Sequence, residues 1–232
     1  MPGHHYEYER RFAPGEFDLP SVLRAARSLG AVGRPRRTLL INAAFGLPGR
    51  PELHVRLRDH VAARRDGGRT LLTVKRVGGG EFEEERETYV ADAGQARQLL
   101  EMMGCVLQHT SEKFRDVLAV PGLGELDIDT YPGLPPCLEV ECPSAAKLAR
   151  LVRLLGLPGR AASDGSRGKL GAMYRDAYGV PVEGRDTSGD LTFASPSNIP
   201  QHLARNKAQF GRLLAQQRAA AAALRRAASM YR

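Results

Sequence analysis

The feature of this sequence that most restricts its fold is a repeated alternation of period two in which one of the two faces is charged. Successive side chains of an extended strand point to opposite faces, so each such segment reads as a strand with one polar and one apolar side. In His5–Phe12, Glu7, Glu9 and Arg11 share one face and Tyr6, Tyr8 and Phe12 the other. Glu52–Arg58 opposes Leu53, Val55 and Leu57 to His54, Arg56 and Arg58, and in Thr70–Lys75 Leu72 and Val74 oppose Thr73 and Lys75. Glu81–Glu87 sets Glu81, Glu83, Glu85 and Glu87 on one side, and His109–Arg115 sets Lys113 beside Arg115. Glu125–Asp129 pairs Asp127 with Asp129, and Leu138–Glu141 pairs Glu139 with Glu141. A strand over Thr38–Phe45 brings the count to eight.

Gly and Pro separate these segments, which favours antiparallel pairing, and four helical intervals interrupt them: Asp18–Leu29, Asp92–Met103, Pro143–Leu155 and Arg167–Tyr178. Asp18 and Asp92 are suited to cap their helices, and Pro143 to sit in a first turn. The expected class is α+β. With 232 residues, 42% of them hydrophobic, the chain can bury the core of one globular domain. From Leu191 onward there are seven basic residues and no acidic one, leaving 27 basic against 26 acidic before it, so almost all of the net charge of +8 is in the tail. A Gly-, Pro- and Asp-rich stretch over residues 179–190 precedes that tail, which divides the chain into a body, 1–185, and a linker with a basic helix, 186–232. Leu203, Phe210, Leu214, Leu224 and Tyr231 form a stripe by which the helix docks on the body or on a second copy of the chain as a homodimer. Its arginines otherwise offer a surface to a nucleic acid or another polyanion.

The sequence has no run of apolar residues long enough to span a bilayer and no apolar signal region, so the expectation is a soluble, cytoplasmic protein without a membrane partner. Cys105, Cys137 and Cys142 lack C-x-x-C spacing and read as buried small hydrophobes. None of the histidines has ligand spacing, and Gly78–Gly80 reads as a turn, because no Lys-Ser/Thr follows it as in a phosphate loop.

A single charged face is ordinarily the wet side of a half-buried sheet. Here the signs are sorted by strand: the first, seventh and eighth are acidic, and the third, fourth and sixth are basic. If the eight strands form an antiparallel closed β-barrel, these faces converge on one interior, a polar tunnel, and the apolar faces pack outward against the helices. Carboxylates at spacing two on neighbouring strands supply oxygen ligands suited to Mg²⁺ or Mn²⁺. Arginines on the other walls match phosphate oxygens. Burying so many charges is tolerable only if they neutralise one another and a bound ligand, which makes the tunnel a polyphosphate site.

These motifs resemble those of the CYTH domain, or triphosphate tunnel metalloenzymes, a family that includes class IV adenylate cyclases and thiamine, inorganic and RNA triphosphatases. The resemblance covers residues 4–180. Glu7-Tyr-Glu9-Arg-Arg11 is similar to the family's Glu-x-Glu-x-Lys signature, with arginine in the lysine place. Arg56 and Arg58, Lys75, the acidic strand with Glu83, Glu85 and Glu87, the pair Lys113 and Arg115, and Asp129 followed by Glu139-x-Glu141 fall in the family's order. Arg167, Lys169 and Tyr174 fit its tunnel-plugging helix, whereas Pro135-Pro136 and the basic tail depart from its pattern.

The resemblance implies an eight-stranded triphosphate tunnel in which Glu7, Glu9, Glu139, Glu141 and Asp129 hold Mg²⁺ or Mn²⁺. Arg11, Arg56, Arg58, Lys75, Lys113, Arg115 and Lys169 would bind the triphosphate, and Glu85 or Asp129 would position and deprotonate the attacking water. The activity implied first is hydrolysis of the terminal phosphate of inorganic, thiamine or nucleoside triphosphate. Two alternatives stand beside it: an adenylate cyclase releasing pyrophosphate, and a nucleotide or polyphosphate sensor without turnover.

Overall fold

The computed structural model describes residues 8–31, 37–61, 70–76, 84–159, 170–178, 190–196 and 206–229. The eight expected strands are β1 (Tyr8–Phe12), β2 (Thr38–Gly46), β3 (Leu53–Val61), β4 (Thr70–Arg76), β5 (Glu84–Val90), β6 (Val106–Val120), β7 (Gly124–Thr130) and β8 (Cys137–Cys142). The helices are α1 (Leu19–Ser28), α2 (Ala93–Met102), α3 (Ala145–Leu154), α4 (Leu170–Tyr178) and α5 (Lys207–Ser229). Asp18 and Asp92 cap α1 and α2 as expected, accepting from the Ser21 and Gln95 backbone N–H groups at 3.0 and 2.9 Å. For α3 the cap is Ser144, which accepts from the Lys147 N–H, so Pro143 precedes the helix instead of entering its first turn.

All neighbouring strands are antiparallel, in the order β1-β8-β7-β6-β2-β3-β4-β5. The sheet curls without closing. Among the described residues no ladder joins β1 to β5, so the structure is an open half-barrel and corrects the expectation of a closed one. At the two margins β1 presents Glu9 and Arg11 to the concave face, and β5 presents Glu85 and Glu87. The curl still brings the two margins near each other, since the charge of Lys75 on β4 acts on Glu9 of β1.

The convex face carries the apolar core in three clusters. α1 and α3 cover Phe12, Leu126, Leu138 and Val140, while α2 covers Phe45, Val55 and Leu57. The third cluster joins Leu39 and Phe114 to Met173 and Tyr174 of α4, to Leu191 and Phe193, and to Phe210, Leu214 and Ala221 of α5. The docking stripe of α5 thus includes two of the expected residues, with Leu224 partly buried, whereas Leu203 and Tyr231 lie outside the described residues. Gln217, also on that stripe, accepts from the Gly133 N–H at 2.6 Å and donates to the Leu134 carbonyl at 2.9 Å, so the buried turn after β7 is satisfied by the tail.

At fifteen residues, β6 is the longest strand, pairing with β2 along its first part and with β7 along its last. Where β7 ends, residues 190–193 take over the vacated edge. Leu191 N–H donates to Thr110 O at 2.8 Å, and Glu112 N–H donates to Leu191 O at 2.9 Å. Phe193 then stacks on Phe114 with ring centroids 4.4 Å apart. Glu112, on the convex face, accepts from the Phe193 N–H at 3.0 Å and from Arg225 of α5, which fastens the tail to the strand carrying Lys113 and Arg115 on its other side.

Candidate functional site: a charged concave face

Because neighbouring residues in register share a face, the strand pairing alone lays out the site. Arg11 lies beside Glu139 and Glu139 beside Asp127; in the next row Glu9, Glu141 and Glu125 stand together. Arg115 pairs with Asp129, Arg56 with Thr73 and Thr73 with Glu87, while His54, Lys75 and Glu85 form a further row. Of the site residues expected from sequence, Glu9, Arg11, Arg56, Arg58, Lys75, Glu85, Lys113, Arg115, Asp129, Glu139 and Glu141 all belong to the face that alternation assigned to the tunnel. Glu7 and Lys169 lie outside the described residues, as do Glu83 and Arg167.

Arg115 is the hub of the acidic wall. Its guanidinium meets Asp129 twice at 2.7 Å and Glu139 at 2.8 Å, it pairs with Asp127, and Glu141 is 4.0 Å away. Burial alone would lower the pKa of Arg115, but these carboxylates outweigh it and hold the pKa above the ordinary value. Lys113 Nζ binds Asp129 Oδ2 at 2.5 Å and faces the Tyr131 ring, 5.6 Å from its centroid. With both oxygens held by cations, Asp129 has its pKa drawn down to about 2 despite complete burial. An Asp so committed is an anchor for Lys113 and Arg115.

Two groups of carboxylates remain, and in each the ligand oxygens lie within 4.8 Å of one another: Glu9, Glu139 and Glu141, and Glu125, Asp127 and Glu141. Glu9 stands close to Glu139, and desolvation first, and then the Glu139 charge, hold it above the usual carboxylate range. Asp127 is pushed up to about 7, chiefly by desolvation, with the charges of Asp129, Glu125 and Glu139 adding to it against the opposing effect of Arg115. A hard divalent cation prefers oxygen donors of this kind and would take the place of the protons, so the residues present fit Mg²⁺ or Mn²⁺. Asp127 and Glu125 were not among the expected ligands. Asp127 carries the same spacing-two signal as Asp129, but which of the two stands beside Glu139 depends on the β7–β8 register.

The opposite wall mixes cations with two carboxylates. Arg56 lies 3.4 Å from Glu85 and 3.8 Å from Glu87, and Lys75 lies 3.2 Å from Glu85. Thr73 donates to Glu87 at 2.7 Å. Glu85 is held above the usual carboxylate range by desolvation, even with Lys75 and Arg56 beside it. Arg58 differs from the other arginines of the face: it is largely enclosed, donates to Asn42 Oδ1 at 2.9 Å, and has no ion pair among the described residues. Desolvation, with Arg56 and Arg115 nearby, pushes its pKa down to about 10. It stays charged at neutral pH, with the charges of Asp129 and Glu87 too weak to offset its desolvation and its cationic neighbours.

At the Asp129 end of the face, Tyr174 of α4 is fully buried near Tyr131 and Cys137 and donates to the Pro132 carbonyl at 2.5 Å, while Tyr178 donates to the Gly133 carbonyl. α4 therefore packs where β7 meets β8, in keeping with the end-closing helix that the sequence resemblance implies.

Fold and site together define an antiparallel half-barrel whose concave face gathers carboxylates with guanidinium and ammonium groups, the carboxylate triads lying on β1, β7 and β8. Solved structures share this fold. A Vibrio parahaemolyticus protein described as a "putative adenylate cyclase" is 17% identical, with 70% of this chain and 98% of that chain covered and a TM-score of 0.54. The PH1012 protein of Pyrococcus horikoshii is 19% identical, with 66% of this chain and 91% of that chain covered and a TM-score of 0.53. No protein-family model and no curated protein matches the sequence. The likeness is one of fold, and at that level it supports the resemblance to the CYTH domain drawn from the strand motifs.

Proposed function

We propose that this chain is a metal-dependent triphosphatase that hydrolyses the terminal phosphate of a triphosphate bound in its concave face. The observation that carries the reading is Arg58: an enclosed guanidinium without an ion pair among the described residues, near Arg56, Lys113 and Arg115 on a face that also carries two carboxylate triads. A fold that only needed balanced charge would not leave one cation so costly. A polyphosphate supplies the missing negative charge, and arginine grips its oxygens in a fork geometry.

In this reading Arg56, Arg58, Lys75, Lys113 and Arg115 orient the phosphates and oppose the charge that develops on them during transfer. Arg11, tied to Glu139, and Asp129, tied to Lys113 and Arg115, fix the positions of their partners. Glu9, Glu139 and Glu141 would hold Mg²⁺ or Mn²⁺, with Asp127, Glu125 and, by the sequence motif, Glu7 beside them. When bound, such an ion supplies Lewis-acid stabilisation of phosphoryl oxygens. Glu85, whose proton affinity desolvation raises, would orient water and accept its proton. The exposed Arg212 and Arg226 of α5 are the surface through which a polyanionic partner would be met.

A second reading, conversion of ATP to cyclic AMP and pyrophosphate, is favoured by the name of the Vibrio neighbour. Both readings use the same walls and differ in the phosphate attacked. Incubation with inorganic triphosphate, thiamine triphosphate and ATP, each with Mg²⁺ or Mn²⁺, followed by chromatography of the products, separates them. Orthophosphate supports the triphosphatase, and cyclic AMP with pyrophosphate replaces it by the cyclase. Binding without any product leaves a sensor.

A further inference from the structure

The concave-face residues of β3 run His54, Arg56, Arg58, His60, each two apart and in register with Gly46, Ala44, Asn42 and Leu40 of β2. The two arginines are accounted for by the triphosphate reading. His60 is not, and its Nε2 is buried without a hydrogen-bond partner among the described residues. A buried polar atom left unpaired costs free energy, so an ordinary structural role does not explain it.

The charged groups acting on the ring are Arg58 and Asp59 of its own strand, Arg115 of β6 and Glu87 of β5. Asp59 is in register with Thr70, from whose hydroxyl it accepts at 2.5 Å, and the alternation of β3 places it on the other face from Arg58 and His60. β2 offers only Leu40 opposite. The ring therefore looks onto the same space as two guanidinium groups, one of them lacking an ion pair among the described residues.

We propose that His60 is an anion-binding residue of the concave face, bordering the phosphate held by Arg58 and Arg115, and that it takes up a proton when a polyphosphate binds. Desolvation, followed by Arg58 and Arg115, holds the imidazole below its ordinary pKa, so it is neutral in the ligand-free protein at pH 7. A polyanion seated on the two guanidiniums reverses the sign of the local field and favours the imidazolium, which donates from both ring nitrogens. The consequence is a pH-dependent preference for highly charged ligands. This inference rests on the triphosphate reading and deepens it, since it concerns only how the site holds the anion.

The test is calorimetric titration of inorganic triphosphate from pH 6 to pH 9, in EDTA and again with Ca²⁺, using buffers of different ionisation heat. Wild type is compared with His60→Gln, which keeps an N–H donor but does not titrate, and with His60→Leu; thermal unfolding verifies that each is folded. The expected result is an excess uptake of up to one proton per triphosphate by wild type over His60→Gln. The affinity advantage of wild type should grow by up to about tenfold per pH unit as pH falls between the free and bound pKa values, and vanish at pH 9. His60 ring resonances should move to the imidazolium position on saturation. Equal proton uptake and parallel pH profiles in wild type and His60→Gln, or ring resonances that triphosphate leaves unmoved, overturn the proposal. A wild type that binds triphosphate in neither condition defeats the underlying reading instead.

Discussion

Replacing Asp129 with Asn gives a measurable account of how the acidic wall is held. Asp129 is completely buried, binds Lys113 at 2.5 Å and Arg115 at 2.7 Å, and has its pKa drawn from 3.8 to about 2. A fall of that size corresponds to about 2 kcal/mol of stability. Because the folded pKa is depressed, this contribution is fully present above the unfolded value near 4 and is lost as pH falls through the folded value; about half has gone by pH 3. The Asn variant also leaves Lys113 buried without its anion, whereas Arg115 keeps Asp127 and Glu139. Breaking one side of a buried pair costs about 3–5 kcal/mol, and the remaining partners of Arg115 place this case at about 3 kcal/mol at pH 6. Urea unfolding of both proteins at pH 6 and pH 3 gives the difference directly. The account expects the gap between wild type and variant to shrink by about 1 kcal/mol at pH 3. A variant within about 0.5 kcal/mol of wild type at pH 6, or a gap that does not change with pH, refutes the assignment of Asp129 as the anchor of the two cations.

Arg58→Met should weaken binding of inorganic triphosphate by at least about 100-fold while leaving the melting temperature unchanged or higher, because an enclosed cation without an ion pair among the described residues is replaced by an apolar side chain of similar length; calorimetry and thermal unfolding of the same preparation check both halves. Gln217→Ala should cost about 2–3 kcal/mol in urea unfolding, since it strips partners from the buried Gly133 N–H and Leu134 carbonyl, and a change below about 0.5 kcal/mol would show that the α5 contact contributes little. Burial pushes the Cys137 thiol up to about 12 and also raises Cys142, so neither should react with a thiol reagent at pH 8 until the protein is unfolded, which a timed titration with and without urea measures.

Much of this site can be read from the sequence because alternation in a strand is a local property. Glu139 and Glu141 share a face whatever they pair with, as do Arg56 and Arg58, and sorting by sign across six segments indicated a common interior. Properties set by pairing could not be read that way. The choice of Asp127 over Asp129 as the carboxylate beside Glu139 is a matter of register, and the capture of Asp129 by Lys113 and Arg115 depends on β6 lying against β7. Closure of the barrel is likewise global: no single segment reports that β1 and β5 form no ladder among the described residues. The role of the tail was half legible. Its apolar stripe announced a docked helix, but Gln217 satisfying a turn and Arg225 reaching Glu112 join positions more than eighty residues apart and leave no periodic trace. His60 has no ligand spacing in the sequence, and only the geometry of its buried Nε2, on the face it shares with Arg58, sets it apart.

The central claim is that the two walls together bind and cleave a triphosphate with the help of a divalent cation. The most direct test is orthophosphate release from inorganic triphosphate by wild type and by Glu141→Ala, each with Mn²⁺ and with EDTA, after thermal unfolding has shown both to be folded. The account predicts release by wild type with Mn²⁺ alone, and a loss of at least about 100-fold in the variant, since Glu141 is the carboxylate common to both triads. Wild-type activity that survives EDTA, or a Glu141→Ala protein as active as wild type, would contradict it.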